Sequence, residues 1–176
     1  MVIGKTHMQY NWYGVVTNSE IQQGDLLFDF DVPIVRQMEG DLGDIETFDL
    51  IVMTQSCDIA KTRIEYLILC PIWPIVEATT LHSDFATPKG KENLRKGGFV
   101  NFHLLNKCEI AGFERDFMIV QFERVIERPK VSVQEFVSKQ QSRLRLLPPY
   151  REHLSQAFAK FFMRVGLPMD IPAFTK

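Results

Sequence analysis

No apolar run in this sequence approaches the roughly 18 to 20 residues that a membrane-spanning helix needs, so no membrane partner is expected. The opening MVIGKTHMQYNWYG lacks the long apolar core of a secretory signal. Cysteine is scarce. Cys57, Cys70 and Cys108 show no paired spacing, which argues against a disulfide framework and for free thiols in a reducing cytoplasm. Internal repeats, low-complexity tracts and flexible linkers are missing. So are a glycine-rich phosphate loop, a G-x-S-x-G elbow and an H-E-x-x-H pair, which removes several familiar hydrolase and nucleotide-binding signatures.

What is present is a globular composition: 176 residues, 45% hydrophobic and 24% charged. That suffices for one unit with a real core. Net charge is only −2, yet it is unevenly spread: residues 1–123 hold 10 Lys and Arg against 18 Asp and Glu, and residues 124–176 hold 10 against 4. Either the basic end meets an acidic partner or nucleic acid, or it docks on the chain's own acidic part.

Short apolar runs dominate the first two thirds. LLFDFDVPIV after Gly24-Asp25 reads as a strand with one exposed face, ending near Pro33. MEGDLGDIETFD, residues 38–49, reads as an acidic loop. Leu50 to Met53 and Tyr66 to Cys70 read as central strands, followed by a kinked, edge-like IWPIV between prolines. Residues 79–98 are polar and read as a surface insertion with a short helix near Lys91 to Lys96. FVNFHLLN and FMIVQFERVI are two further strands. Ser132 and Glu135 form a capping box for a helix starting at Val133. After Pro149, suited to a first helical position, Leu154, Ala157, Phe158, Phe161, Phe162 and Val165 recur at steps of three and four, which predicts an amphipathic helix stopped by Gly166 and Pro168. The expected fold is α+β, mainly β: a small SH3-like β-barrel over 1–130 with an insertion at about 79–98, and a C-terminal helical extension over 131–176 in the same globular unit.

The reactive residues offer three kinds of site. In Thr54-Gln55-Ser56-Cys57-Asp58 an apolar run stops at a thiol beside a carboxylate. As a site, it would make Cys57 a nucleophile and Asp58 a partner, with Arg95 and His103 completing a catalytic set. As a structural turn, Cys57 is a small buried residue and Thr54, Ser56 and Asp58 hydrogen-bond the turning backbone. For zinc, Cys57, Cys70, His103 and Cys108 provide four ligands, but only His103 and Cys108 approach the close pairs of structural sites, so no metal and no cofactor is expected. Asp41, Asp44 and Glu46 lack the calcium-loop pattern. For nucleic acid, Lys89, Lys91, Arg95 and Lys96 sit just before Phe99 and Phe102, a charge run with aromatics. Arg143, Arg145, Arg151, Lys160 and Arg164 add positive charge, and Arg143 and Arg145, flanking Leu144, are expected on one exposed face.

GDLLFDFDVP (24–33), DLIVMTQ and YLILCPI resemble the small toxins of the MazF/PemK type over about a third of the chain, and the TQSCD turn resembles a poorly characterised bacterial subset. That resemblance implies an SH3-like barrel that cleaves single-stranded RNA without metal, generally as a dimer. It also implies an Arg just before the second core strand and a Ser or Thr after the third. Neither is here: DIETFDL has no Arg, and Cys70-Pro71 is followed by Ile72-Trp73-Pro74. Arg36, Arg63 and Arg95 are the replacements available. The expectation is therefore a non-catalytic interaction or regulatory module of the bacterial cytoplasm, in a toxin or phage-defence setting, with a protein partner or homodimer and RNA as a further possible ligand. The alternatives are a metal-independent endoribonuclease with a rearranged site and a single-stranded nucleic-acid binder.

Overall fold

The computed structural model describes residues 10–34, 44–61 and 63–163. Its elements run β1 (Tyr13–Val16), β2 (Leu26–Ile34), β3 (Asp44–Val52), α1 (Ser56–Ile59), β4 (Tyr66–Pro74), two 3-10 turns (Ala78–Thr80 and Ser83–Ala86), α2 (Pro88–Arg95), β5 (Phe102–Leu105), β6 (Met118–Gln121), β7 (Ile126–Pro129), α3 (Lys130–Ser138), β8 (Arg143–Leu146) and α4 (Tyr150–Phe162). The chain is mixed α+β and mainly β.

β4 organises the main sheet, which is antiparallel in the order β2-β3-β4-β6-β5. One edge of β4 pairs with β3 from Leu69 to Pro71. The other edge serves two partners in turn, β7 along Tyr66–Leu69 and β6 along Ile72–Pro74. Residues along these strands alternate between two buried faces, which is why the sequence shows near-continuous apolar runs. Leu26, Ile51, Cys70, Ile72 and Val120 face one core, closed by Leu144, Leu146 and the Leu154 face of α4. Leu27, Leu50, Val52, Leu67 and Leu69 face the other, closed by Val133 and Val137 of α3.

A second sheet, β1 with β8, crosses the start of β2. The Leu146 N–H donates to the Gly24 carbonyl (2.8 Å), and Asp25 and Arg145 form a single bridge. Gly24 has φ +86°, and a Cβ there would lie 3.1 Å from the Leu146 carbonyl oxygen, so a side chain would be strained by the backbone conformation and crowded by β8. Among the described residues neither sheet closes on itself.

Several sequence expectations change. Residues 44–49, read as loop, are the first half of β3: their side chains are mostly exposed, and pairing with β2, rather than burial, holds them extended. Residues 38–43 of that loop, with Asp41, lie outside the described residues, as do Arg36, Arg164 and the Gly166-Pro168 stop. β4 runs through Pro71 and includes Pro74 instead of kinking to an edge. FMIVQFERVI divides into β6 and β7, which take successive places along β4. α3 begins at Lys130 with Pro129 as cap, and Ser132 Oγ donates to the Pro129 carbonyl rather than capping. Pro149 is the residue before α4, not its first. The extension is not purely helical, because RLRL is a strand. The insertion carries its own small core, in which Phe85 and Leu94 pack on Phe102 and Ile119 of the main sheet. Thr87 caps α2 by accepting from the Gly90 N–H (2.9 Å), and Pro88 occupies the first turn.

Candidate functional site

The TQSCD turn is committed to structure. Thr54 Oγ1 accepts from the Ile68 N–H (2.7 Å), and Ser56 Oγ accepts from the Gln23 N–H (3.1 Å). The Gln23 amide in turn donates to the Met53 carbonyl (2.8 Å). Asp58 pairs with Lys61 (2.6 Å). Cys57 is exposed rather than buried, with Sγ 3.7 Å from Gln55 Oε1. Thus both hydroxyls satisfy backbone donors that the ending strand leaves behind, and the thiol points outward.

Arg143 and Arg145 are not on an exposed face. Both are buried against Asp25, which is fully buried. Arg143 Nε donates to Asp25 Oδ2 (2.9 Å), and Arg145 donates through Nε to Oδ1 and through Nη2 to Oδ2 (3.0 Å). The remaining guanidinium donors reach the carbonyls of Asn18 (2.6 Å) and Glu20 (2.7 Å from Arg145), with a further short contact from Arg143 to Glu20. The Gln22 N–H also donates to Asp25 (3.1 Å). Two cations share one carboxylate here, and carbonyl oxygens absorb the excess donors. The Asp25 carboxylate is fully engaged by the protein itself, accepting from both guanidiniums and from the Gln22 N–H. It is also where the basic C-terminal part docks on the acidic part, one of the two explanations of the charge asymmetry.

His103 lies on β5, facing α4. Its ring stacks near Phe122 (6.3 Å between centroids), and burial, helped by the charge of His153, pushes its pKa down to about 4. Leu104, the next residue, points to the opposite side of the strand, where it meets α2. His103 and Arg95 are therefore on opposite faces of the sheet. Cys57 and Asp58 lie near Ile68, towards the start of β4, while Arg95 shares a groove with Ile75 beyond its end. Seven residues of strand at ~3.3 Å each put these on the order of 20 Å apart. The four candidate catalytic residues occupy three separate places. Cys70 and Cys108 are in the core, and no group of metal-ligating side chains forms among the described residues.

What the fold does assemble is a groove of about 660 Å³ between α2 and the sheet. Its floor and wall are Trp12, Ile75, Leu104 and Phe117, and Lys91 and Arg95 stand on the rim. These two cations are four residues apart, so one helix face carries both. Arg95 is held by Glu92 in a two-pronged pair (2.8 and 2.8 Å), and Arg95 first, then Lys96, keep the Glu92 carboxyl ionised down to about pH 2. Lys91 belongs to the field of the Asp116 carboxylate, whose pKa is lowered first by Lys107 and then also by Lys91. Lys89 and Lys96 fall on the other side of α2, in a depression shared with Asp84 and Asn93.

The aromatic partners differ from those expected. Phe99 and Phe102 pack edge-on to Phe85 inside the insertion (5.1 Å each). Trp12 and Phe117 take their place. Trp12 lies on Tyr150 in a near-parallel stack (3.7 Å, 9°), and Phe117 sits under Lys107 (5.0 Å). No local sequence signal ties Trp12 to Lys91; only the crossing of β1 and β8 over β2 brings them together. Comparison with protein-family models, curated proteins and solved structures gives no match.

Proposed function

We propose that the protein is a non-catalytic binding module that holds single-stranded nucleic acid in the groove beneath α2. The observation that carries this reading is the pairing of Lys91 and Arg95 with an aromatic and aliphatic wall. Cations on the rim neutralise phosphates, and flat side chains take unstacked bases. In this reading the curled sheets are an SH3-like barrel of the MazF/PemK kind, working in the bacterial cytoplasm, with toxin or defence activity as its setting.

The non-catalytic part is supported by the separation of Cys57, Asp58, Arg95 and His103. Phosphodiester cleavage needs a cation and a proton-transfer group at one phosphorus. In the groove Arg95 has Lys91 and Glu92 beside it, but neither His103 nor Cys57, and Glu92 is a poor proton acceptor because its two-pronged pair with Arg95 holds its pKa down to about 2. An endoribonuclease is the weaker alternative for that reason. A protein partner or homodimer is the competing occupant.

Equilibrium binding of a labelled single-stranded oligonucleotide tests the proposal. The doubly reversed variant Lys91→Glu/Arg95→Glu is expected to bind at least about tenfold more weakly, with its melting unchanged. Mixed RNA incubated with excess protein is expected to stay intact. Equal binding by the variant, or cleaved RNA, would contradict the reading.

A further inference from the structure

A second trough, of about 630 Å³, adjoins the first. Trp12 and Asn106 line both, so the two meet at that pair. The saddle is stiff. Tyr150 stacks on the Trp12 indole, and the Tyr13 hydroxyl donates to the Asn106 carbonyl (2.7 Å). The Leu147 N–H also donates to the Trp12 carbonyl (2.8 Å). The Asn106 side-chain amide makes no hydrogen bond to a described residue and is left to face a ligand. On the far side the second trough offers Tyr10, half exposed, and Lys107, a cation that pairs with Asp116 (3.0 Å) much as Arg95 pairs with Glu92. Glu109 is its acid, as Glu92 is in the first. Each trough has the size of a site for one small organic group. Each also pairs an aromatic ring with a cation.

Resting on the nucleic-acid reading above, we infer that the site is bipartite. A single strand lies in the α2 groove beside Lys91 and Arg95, crosses the saddle of Trp12 and Asn106, and ends in the second trough beside Tyr10 and Lys107. Chemistry favours this over a mononucleotide site. A free nucleotide fills one trough and leaves the second ring and cation unused, whereas a strand brings a further base and phosphate to the trough that shares Trp12 and Asn106 with the first. The Asn106 amide, with one donor and one acceptor edge, is placed to meet a base at the crossing.

The test is a length series of RNA and DNA, from mononucleotide to hexanucleotide, read by quenching of Trp12. Trp73, the other tryptophan, is replaced by Phe so that one indole reports. Affinity is expected to rise about tenfold over the first added nucleotides and then level off once both troughs are filled. Tyr10→Ala, at a half-exposed residue and with unchanged melting as a control, is expected to remove the later part of that rise and leave the binding of the shortest members as it was. For the Trp12 variants, which lack the reporting indole, binding is read from the anisotropy of end-labelled oligonucleotides: Trp12→Ala is expected to abolish the rise, and Trp12→Phe to restore it. Binding that is independent of length, or a length dependence unchanged in Tyr10→Ala, overturns the bipartite site while leaving the α2 groove in place. Absence of binding by every member of the series overturns both.

Discussion

At the scale of single residues, the polar side chains divide into those the fold consumes and those it leaves exposed. Asp25 belongs to the first kind. Among the described residues its carboxylate is the only anion paired with two buried guanidiniums, and through them it holds the Asn18–Gln22 loop and β8 against β2. Removing one partner of such a cluster strands the others without solvent. Asp25→Asn is therefore expected to lower stability by about 3–5 kcal/mol, measured as a shift of the urea midpoint. A change below about 1 kcal/mol would mean that the cluster is not buried as described. Gly24-Asp25 was visible in the sequence as the start of a strand. Its partners were not, because they lie about 120 positions away and the alternation of RLRL suggested exposure. The same distance concealed the structural use of TQSCD: Thr54 and Ser56 were legible as turn residues, but that Ser56 holds Gln23 was not.

At the scale of elements, α4 shows how an apolar stripe becomes a lid. Leu154, Ala157, Phe158 and Phe161 pack on the sheet face as their spacing predicts, with Phe158 5.3 Å from Phe122. Phe162 ends the helix mostly exposed. Laying α4 over β5 buries His103 next to His153 and makes the neutral imidazole the form the fold accepts. The sign follows directly. The unfolded chain takes up a proton near pH 6.5, and the folded chain does so only near pH 4. Stability contributed by this group is present above pH 6.5 and is lost as pH falls towards 4, by up to about 1.4 kcal/mol per pH unit. Urea titrations across that range should show the slope in the wild type and a flatter profile in His103→Gln. Equal slopes would remove His103 from the account. α2, α3, α4 and most strands were legible from period and propensity, whereas the short α1 was read as a turn. β1 and β8 were not legible, because four-residue strands carry too little pattern and β8 buries its arginines along with its leucines.

At the scale of the whole molecule, the uneven charge resolves into two uses. Arg143 and Arg145 neutralise Asp25 inside the fold, and Arg124 pairs with Glu46 (3.2 Å). The basic C-terminal part is thus spent at least in part on the chain's own acids. Two cations of the insertion within the acidic part, Lys91 and Arg95, line a groove with Trp12 from the start of the described chain and Phe117 from its middle. Composition pointed to a basic surface, and the charge run located half of the site. The other half required the fold.

The salt dependence of single-stranded oligonucleotide binding tests this most directly. If Lys91 and Arg95 neutralise phosphates, affinity falls steeply between about 50 and 200 mM salt, and the logarithmic slope drops by about 0.7 when Lys91 is replaced by Ala. An affinity indifferent to salt, or a slope that Lys91→Ala leaves unchanged, would contradict the account.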